Sequence, residues 1–482
     1  MALKENTVST PKSDKHEVKN ESTRRKFLTD SAKIATAAGA VVAPSLSLAR
    51  SAHAFGSDTI KIGLVGCGGR GTGASINAMK TKSGNVELVA MADAFENRLR
   101  ASLKNCAKDH EDQVRVPEDK QFVGLDAYQK VLESDADLVI LATPPGFRPL
   151  HFEKAIEAGK HVFMEKPVAV DAPGVRRVLR ASEVAKQKGL AVQVGLQRRH
   201  ERAYRETMEQ LHAGIIGDLI HTRVYWNGGG VWTRPRVDGE TELQYQMKNW
   251  YYFNWICGDH IVEQHIHNID VANWLMNDYP VKAQGMGGRQ VRVGVDTGQI
   301  FDHHAVEFTY ANGHRLLSHC RHQKGCWNTV GEYTHGTKGH ANIGKGEIFD
   351  NAGKMIFKSK EGPGQRGGHQ QEHHDLFADL LAGKIPNEGE YGAKSTFAAI
   401  FGRMATYSGK EIAWKDAINS KISLCDVDAL HNMETDEAPV KPDEDGNYPI
   451  AIPGAGYKDI IDWEVGGRKK KKKKKTKTPK PA

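Results

Sequence analysis

The stretch TIKIGLVGCGGRGTGASINAMKT, residues 59–81, decides the fold. Its first part, TIKIGLVG, is a short β-branched run, and its last, ASINAMKT, reads as a helix. Between them GCGGRG supplies Gly66, Gly68, Gly69, Arg70 and Gly71, and a second strand, VELVAMAD, ends at Asp93. Glycines that follow a strand and open a helix, with an acidic residue closing the next strand, form the dinucleotide-binding pattern of a βαβ unit. Gly66 allows the tight turn, Gly68 lets backbone amides approach a pyrophosphate, and Gly71 permits close helix–strand packing; the helix N-terminus favours the negative charge. Asp93 would accept from ribose hydroxyls and repel a 2′-phosphate, which favours NAD over NADP.

Strand and helix keep alternating outward from this unit. A helix from Glu96 to Cys106, a polar insertion at 109–120, the helix DAYQKVLES, the strand DLVILAT and the helix PLHFEKAIEAG come first. The strand HVFMEKP, a helix over 174–188 and the strand LAVQVG complete the series. The expected class is α/β, with an N-terminal doubly wound parallel sheet of the Rossmann kind over residues 55–195. Past Gly195 longer alternating strands appear (IHTRVYWNG, HAVEFTYANG, HRLLSHCRHQ), with helices near 262–277 and 370–383. That pattern predicts a C-terminal α+β domain on a mostly antiparallel sheet over 196–420. Residues 421–467, rich in Asp, Glu and Pro, read as an irregular surface extension, and 468–482 as a disordered lysine-rich tail.

A chain of 482 residues supports two sizeable cores. Its net charge of +8 sits at the ends: +4 in residues 1–54 and +10 from Arg468 onward, which leaves the body at −6. An acidic body argues against a nucleic-acid groove. At the start, STRRKFL (Ser22–Leu28), an Ala-rich weakly apolar run and AHA (Ala52–Ala54) resemble a twin-arginine (Tat) export signal, which implies the Tat translocase as a partner, cleavage after Ala54 and a periplasmic or otherwise exported protein. The six cysteines show no CxxC spacing and are expected as free thiols.

Over roughly residues 58 to 420 the chain resembles the Gfo/Idh/MocA oxidoreductase family, named for glucose–fructose oxidoreductase and inositol dehydrogenase. The most specific element is EKP (Glu165, Lys166, Pro167). The resemblance implies that this lysine reaches the nicotinamide and the reacting hydroxyl. A cation at the carboxyl end of a sheet suits that role, because it lowers the pKa of a nearby alcohol. ATPPGFRPLH (Ala142–His151) looks like the family's cofactor loop, which nominates Thr143, Pro144 and His151. VGLQRRH (Val194–His200) looks like its substrate loop, which nominates Arg198.

The segment GDHIVEQHIHNID, residues 258–270, packs three histidines with a glutamate and two aspartates. In the family an Asp is followed four residues later by His and three further on by Asp; here Glu263, His267 and Asp270 fill those places. On one helix, successive residues turn by about 100°, so His260, Glu263 and His267 would share a face. The resemblance implies that His267 takes the hydroxyl proton, that Glu263 sets its tautomer, and that Lys166 assists, with Arg198, His260 and Asp270 toward the substrate. The alternative is a divalent metal held by His260, Glu263 and His267, with His319 or His322 as a further ligand. Two further features stay open at this point. WYYFNW (Trp250–Trp255) is either a sugar-stacking platform or core, and the histidine-rich HQQEHHD (His369–Asp375) is expected as a solvated helix start.

An exported enzyme meets no soluble NAD pool, so cofactor must be regenerated in place. The expected activity is hydride transfer between a sugar or glycoside hydroxyl carbon and a retained NAD. A glycosidase that oxidises, eliminates, hydrates and re-reduces, or a non-catalytic NAD- or glycan-binding protein, are the alternatives. By analogy with the family a homo-oligomer is expected.

Overall fold

The computed structural model describes residues 59–360 and 367–454; the expected export signal and the lysine-rich tail lie outside them. Six strands form a parallel sheet in the order β3-β2-β1-β4-β5-β6: β1 Thr59–Val65, β2 Asn85–Asp93, β3 Gln121–Val123, β4 Leu138–Leu141, β5 His161–Met164 and β6 Val192–Val194. Its helices are α1 Gly69–Met79, α2 Glu96–His110, α3 Ala127–Leu132, α4 Arg148–Glu157 and α5 Ala172–Lys188. Every residue of β4 (LVIL) and β5 (HVFM) is buried, as a parallel sheet covered on both faces requires. The short β3 falls just past the expected polar insertion and was not anticipated.

α5 shows how local sequence sets an element. Asp171 accepts the N–H of Gly174 at 2.8 Å, a proline occupies the first turn, and Gly189 in the left-handed region at φ 66° ends the helix. Val175, Val178 and Ala181 recur at helical spacing on the buried face. Each fully buried valine there stabilises the fold by about 1.5–3 kcal/mol.

The second sheet has nine strands in the order β14-β13-β12-β11-β7-β10-β9-β8-β15: β7 Leu219–Gly228, β8 Lys282–Gly288, β9 His303–Thr309, β10 Arg315–His322, β11 Thr329–Gly336, β12 Gly339–Asn342, β13 Glu347–Asp350, β14 Met355–Lys358 and β15 Ile412–Ala413. Only β7 and β10 pair in parallel. The helices of this half are α6 Arg202–His212, α7 Glu242–Lys248, α8 Asn254–Cys257, α9 His260–Glu263, α10 Ile266–Met276, α11 Gly368–Leu381, α12 Gly389–Ser408 and the short α13 Trp414–Ala417. α12, which the sequence did not announce, is buried almost all round and packs on α5, α10 and β8. α11 lies within the 196–420 segment, yet its Leu376, Phe377 and Leu380 join Ile60, Ile62 and Leu64 in a core cluster of the first sheet.

The helix expected near 262–277 is two helices, α9 and α10, broken at Gln264 and His265. At the break the His265 imidazole is buried against β10, with Nε2 at 2.8 Å from Ser318 Oγ. Residues 421–454 are irregular apart from one 3-10 turn, Val427–Ala429, and tie into both halves. Leu424 N donates to Asp171 and Arg177 pairs with Asp428, while Gln246 donates to the carbonyl of Val440 and Tyr448 to Glu242. All six cysteines are free.

His200, just past the parallel sheet, ties it to α11 and the start of α12: Nδ1 lies 2.7 Å from Asp375 and Nε2 3.5 Å from Glu388. Burial opposes its charge, but the two carboxylates outweigh burial and raise it to about 9. A raised imidazole stabilises the fold fully below its unfolded value, near 6.5, and loses that contribution as pH climbs through about 9. Chemical denaturation should therefore show stability falling by on the order of 1–3 kcal/mol between pH 7 and 9.5. His200→Gln should flatten that fall.

Candidate active site

A cleft of about 660 Å³ opens over the carboxyl ends of the parallel strands and is walled on its other side by residues of the second half. Gly66 has φ 97°, out of reach of most side chains, and a Cβ on Gly71 would lie 1.9 Å from the Gly66 carbonyl oxygen. The turn is thereby pressed onto the start of α1. A Cβ on Gly68 or Gly69 would meet nothing within 4 Å, so the cleft floor stays open above the first amides of α1. Asp93 lines the same end while gripping the turn: one oxygen accepts from Cys67 N at 2.6 Å, the other from Phe95 N at 2.8 Å.

Thr143, Pro144 and His151 line the cleft too. Thr143 Oγ1 lies 3.2 Å from His151 Nδ1, and the ring packs at a tilt against Tyr128, 4.3 Å between centroids. His151 Nε2 is buried and unpartnered; burial, then Arg148, push the imidazole down to about 3, so it is neutral. Arg148 itself is buried and donates to the carbonyls of Thr143 and Pro167, which fixes the loops after β4 and β5. Arg70 Nε donates to Glu165 at 2.5 Å. These residues fit a dinucleotide: an open floor over glycines, a helix N-terminus, and an orphaned imidazole nitrogen that a ligand would satisfy.

Beyond them stand Lys166, Glu263 and His267. Lys166 Nζ donates to the Glu263 backbone oxygen at 2.6 Å and to its Oε1 at 3.0 Å, with both side chains largely buried. Glu263, expected to orient His267, thus holds Lys166 instead. The His267 ring lies 6.0 Å from that of Trp226, and its Nδ1 is buried without a partner. Burial, then the charges of Lys166 and Arg198, hold the imidazole well below its usual value, so it is neutral and able to accept a proton.

Three residues expected near the substrate sit elsewhere. Arg198 is buried and pairs with Glu332, which also accepts from Tyr204 at 3.0 Å and Asn268 at 2.6 Å. Asp270 accepts from Arg199 at 2.8, 2.9 and 3.2 Å and from Ser395 at 2.6 Å. His260 turns into a buried cluster, its Nδ1 2.8 Å from Asp259. The expected face of His260, Glu263 and His267 fails because the helix breaks between the last two. Among the described residues the grouping with metal-ligand spacing is Asp259, His260 and His304, and the Asp259 carboxylate there already accepts from His260 N, Phe301 N and Tyr407. His319 packs on Tyr225, and His322 binds Gln264.

The cleft also holds residues that sequence reading did not nominate: Arg98, Trp226, Trp232, Arg234 and Gln264. WYYFNW divides, Trp250 lining the cleft and Tyr251, Tyr252, Phe253 and Trp255 lying in the core. HQQEHHD divides as well. His369 is exposed at the cleft, whereas His373 is fully buried, 4.3 Å from the Phe163 ring.

Comparison with known proteins accords with this geometry. The model of the Gfo/Idh/MocA oxidoreductase family, NAD-binding Rossmann fold, matches residues 60–196. Inositol 2-dehydrogenase of Salmonella typhimurium is 28% identical over 222 residues, 46% of this chain and 55% of that protein. The enzyme of the same name from Ralstonia nicotianae is 29% identical over 244 residues, 48% and 59% of the two chains. The chain thus matches little more than half the length of these relatives. Scyllo-inositol dehydrogenase of Lactobacillus casei, solved with NAD(H) and scyllo-inositol, superposes with TM-score 0.57 at 22% identity over 75% of this chain and all of that one. Levoglucosan dehydrogenase with NADH and levoglucosan gives 0.59 at 17% identity over 74% and 99%. Residues 60–196 thus resemble the NAD-binding Rossmann fold of that family, and the overall fold is the one seen in these two dehydrogenases.

Two outcomes separate binding from scaffold. Gly68→Ala adds a methyl to open space, so it should leave the melting temperature of nucleotide-free protein unchanged while weakening NAD at least tenfold in calorimetry. Asp270→Asn strips the charge opposite Arg199 and should cost about 3 kcal/mol of stability with NAD affinity intact.

Proposed function

We propose that this protein is an exported, NAD-dependent oxidoreductase acting on a CH–OH carbon of a sugar, polyol or glycoside. The observation that supports it most directly is the placement of a neutral, buried His267 beside the Lys166–Glu263 pair at the far end of a glycine-floored cleft. A nicotinamide bound there supplies a hydride acceptor. The chain's own part is to accept the hydroxyl proton at His267 and to hold a cation, Lys166, near the oxygen as it becomes a carbonyl. Glu263 keeps that ammonium aimed and tempers its charge. The half-buried Trp226 and Trp250 and the exposed Trp232 offer flat apolar faces suited to a sugar ring. The relatives named for inositol and levoglucosan support a small polyol or anhydrosugar as substrate, and the twin-arginine-like N-terminus supports export through the Tat pathway.

The test is to incubate purified protein and NAD with myo-inositol, scyllo-inositol, levoglucosan and a panel of aryl glycosides. Lasting NADH absorbance with one of them is the expected result. Aglycone released without it would indicate redox-cycling hydrolysis instead, and neither signal would leave a binding protein. His267→Gln should lower kcat by about 10²–10⁴-fold at unchanged NAD affinity. Because a depressed imidazole stays unprotonated until pH drops below its lowered value, kcat/KM of the parent should remain level from pH 8 down through 6.5. An acid limb centred at 6.5 or above would contradict His267 as the base.

A further inference from the structure

We infer that Gln264 is a substrate-binding residue whose amide is locked with its N–H donors facing the cleft, so that a bound polyol must place an acceptor oxygen there. The proposal rests on the oxidoreductase reading above and deepens it.

The lock starts two residues away in the chemistry. Arg292, buried, directs Nη2 at His322 Nδ1 at 2.7 Å. A guanidinium has five donors and no acceptor, so Nδ1 must present its lone pair. Burial, then the charges of His260 and Arg292, hold the His322 imidazole far below its usual value, so it carries a single proton. That proton is left to Nε2, which lies 2.9 Å from Gln264 Oε1. The amide could reverse only by setting its own N–H against that of His322. Its carbonyl therefore faces inward whatever orientation a map is first given.

The imidazole cannot swing away from this arrangement. Its ring lies over that of His260 at 4.4 Å and that of Tyr251 at 6.1 Å, and its backbone N–H donates to Asp302 O at 2.8 Å. Arg292 is fixed in turn, donating from Nη1 to the Phe301 carbonyl and from its backbone N–H to Asp302 at 3.2 Å. The two N–H donors of Gln264 have no partner among the described residues, while the side chain is half-buried and lines the cleft next to Glu263 and near His267. A donor pair so placed suits a hydroxyl or ring oxygen beside the reacting carbon. It would also discriminate against a deoxy analogue, because the amide would then be desolvated with nothing to bind. Arg292 and His322 are positioning residues that act through Gln264.

Two measurements test this. Neutron diffraction from deuterium-exchanged crystals should show a deuteron on His322 Nε2, none on Nδ1, and the Gln264 ND₂ group facing the cleft; a deuteron on Nδ1 or an ND₂ aimed at His322 overturns the lock. Kinetics with whichever of myo-inositol, scyllo-inositol and levoglucosan is oxidised fastest should show Gln264→Leu raising KM about tenfold, with kcat within about twofold and the Kd of NAD unchanged. Gln264→Glu, which keeps an acceptor for His322 but has no N–H at neutral pH, should lose as much. An unchanged KM, or a Kd for NAD that weakens in parallel, overturns the role in substrate binding. If none of the three is oxidised, the proposed activity fails on its own account, and the neutron map still decides the orientation of the amide.

Discussion

The ammonium of Lys166 is the constraint around which the cleft is arranged. It stands at the end of a fully buried strand, and its partner, Glu263, comes from the second half of the molecule, 97 positions along the chain. A charge taken this far out of water needs its counter-charge, and removing either member would strand the other. The ion pair therefore joins the end of the parallel sheet to the helical break that presents Glu263, Gln264 and His267. Trp226, from the other sheet, then closes against His267.

The three histidines of GDHIVEQHIHNID have separate environments and separate tasks. His260 is buried with Asp259 and held down to about 4, chiefly by burial. His265 fills the helical break through Ser318, and His267 alone lines the cleft. Closeness in sequence did not give like surroundings, because the turn between α9 and α10 changes which way each side chain leaves the backbone. Gln264, at that turn, gains from the break what a continuous helix would have denied it: a carbonyl directed inward at His322 and an amide nitrogen directed out.

Much of the first sheet was legible because its signals are local. GCGGRG, the apolar runs of β4 and β5 and the motif EKP each announce themselves within a few residues. α12 was not, and the reason is physical: buried on nearly all sides, with Gly389, Gly392 and Gly402 accommodating close neighbours, it has no polar face and hence no helical period to read. The same limit applies to Arg198 and Asp270. Their motif positions suggested substrate contacts, but the partners that draw them inward, Glu332 and Arg199, lie on other elements that no spacing rule connects. Lys166 and His267, nominated from their motifs, both line the cleft, whereas the pairing of Glu263 with Lys166 needed three dimensions to be seen.

The extension past residue 420 gives the molecule a property that neither half has alone. It grips the parallel-sheet half through Asp171 and Arg177 and the other half through Gln246 and Glu242. Any rotation that widened the cleft would have to pull these anchors apart together. The extension is thus a second tether between the halves, separate from the Lys166–Glu263 pair at the cleft.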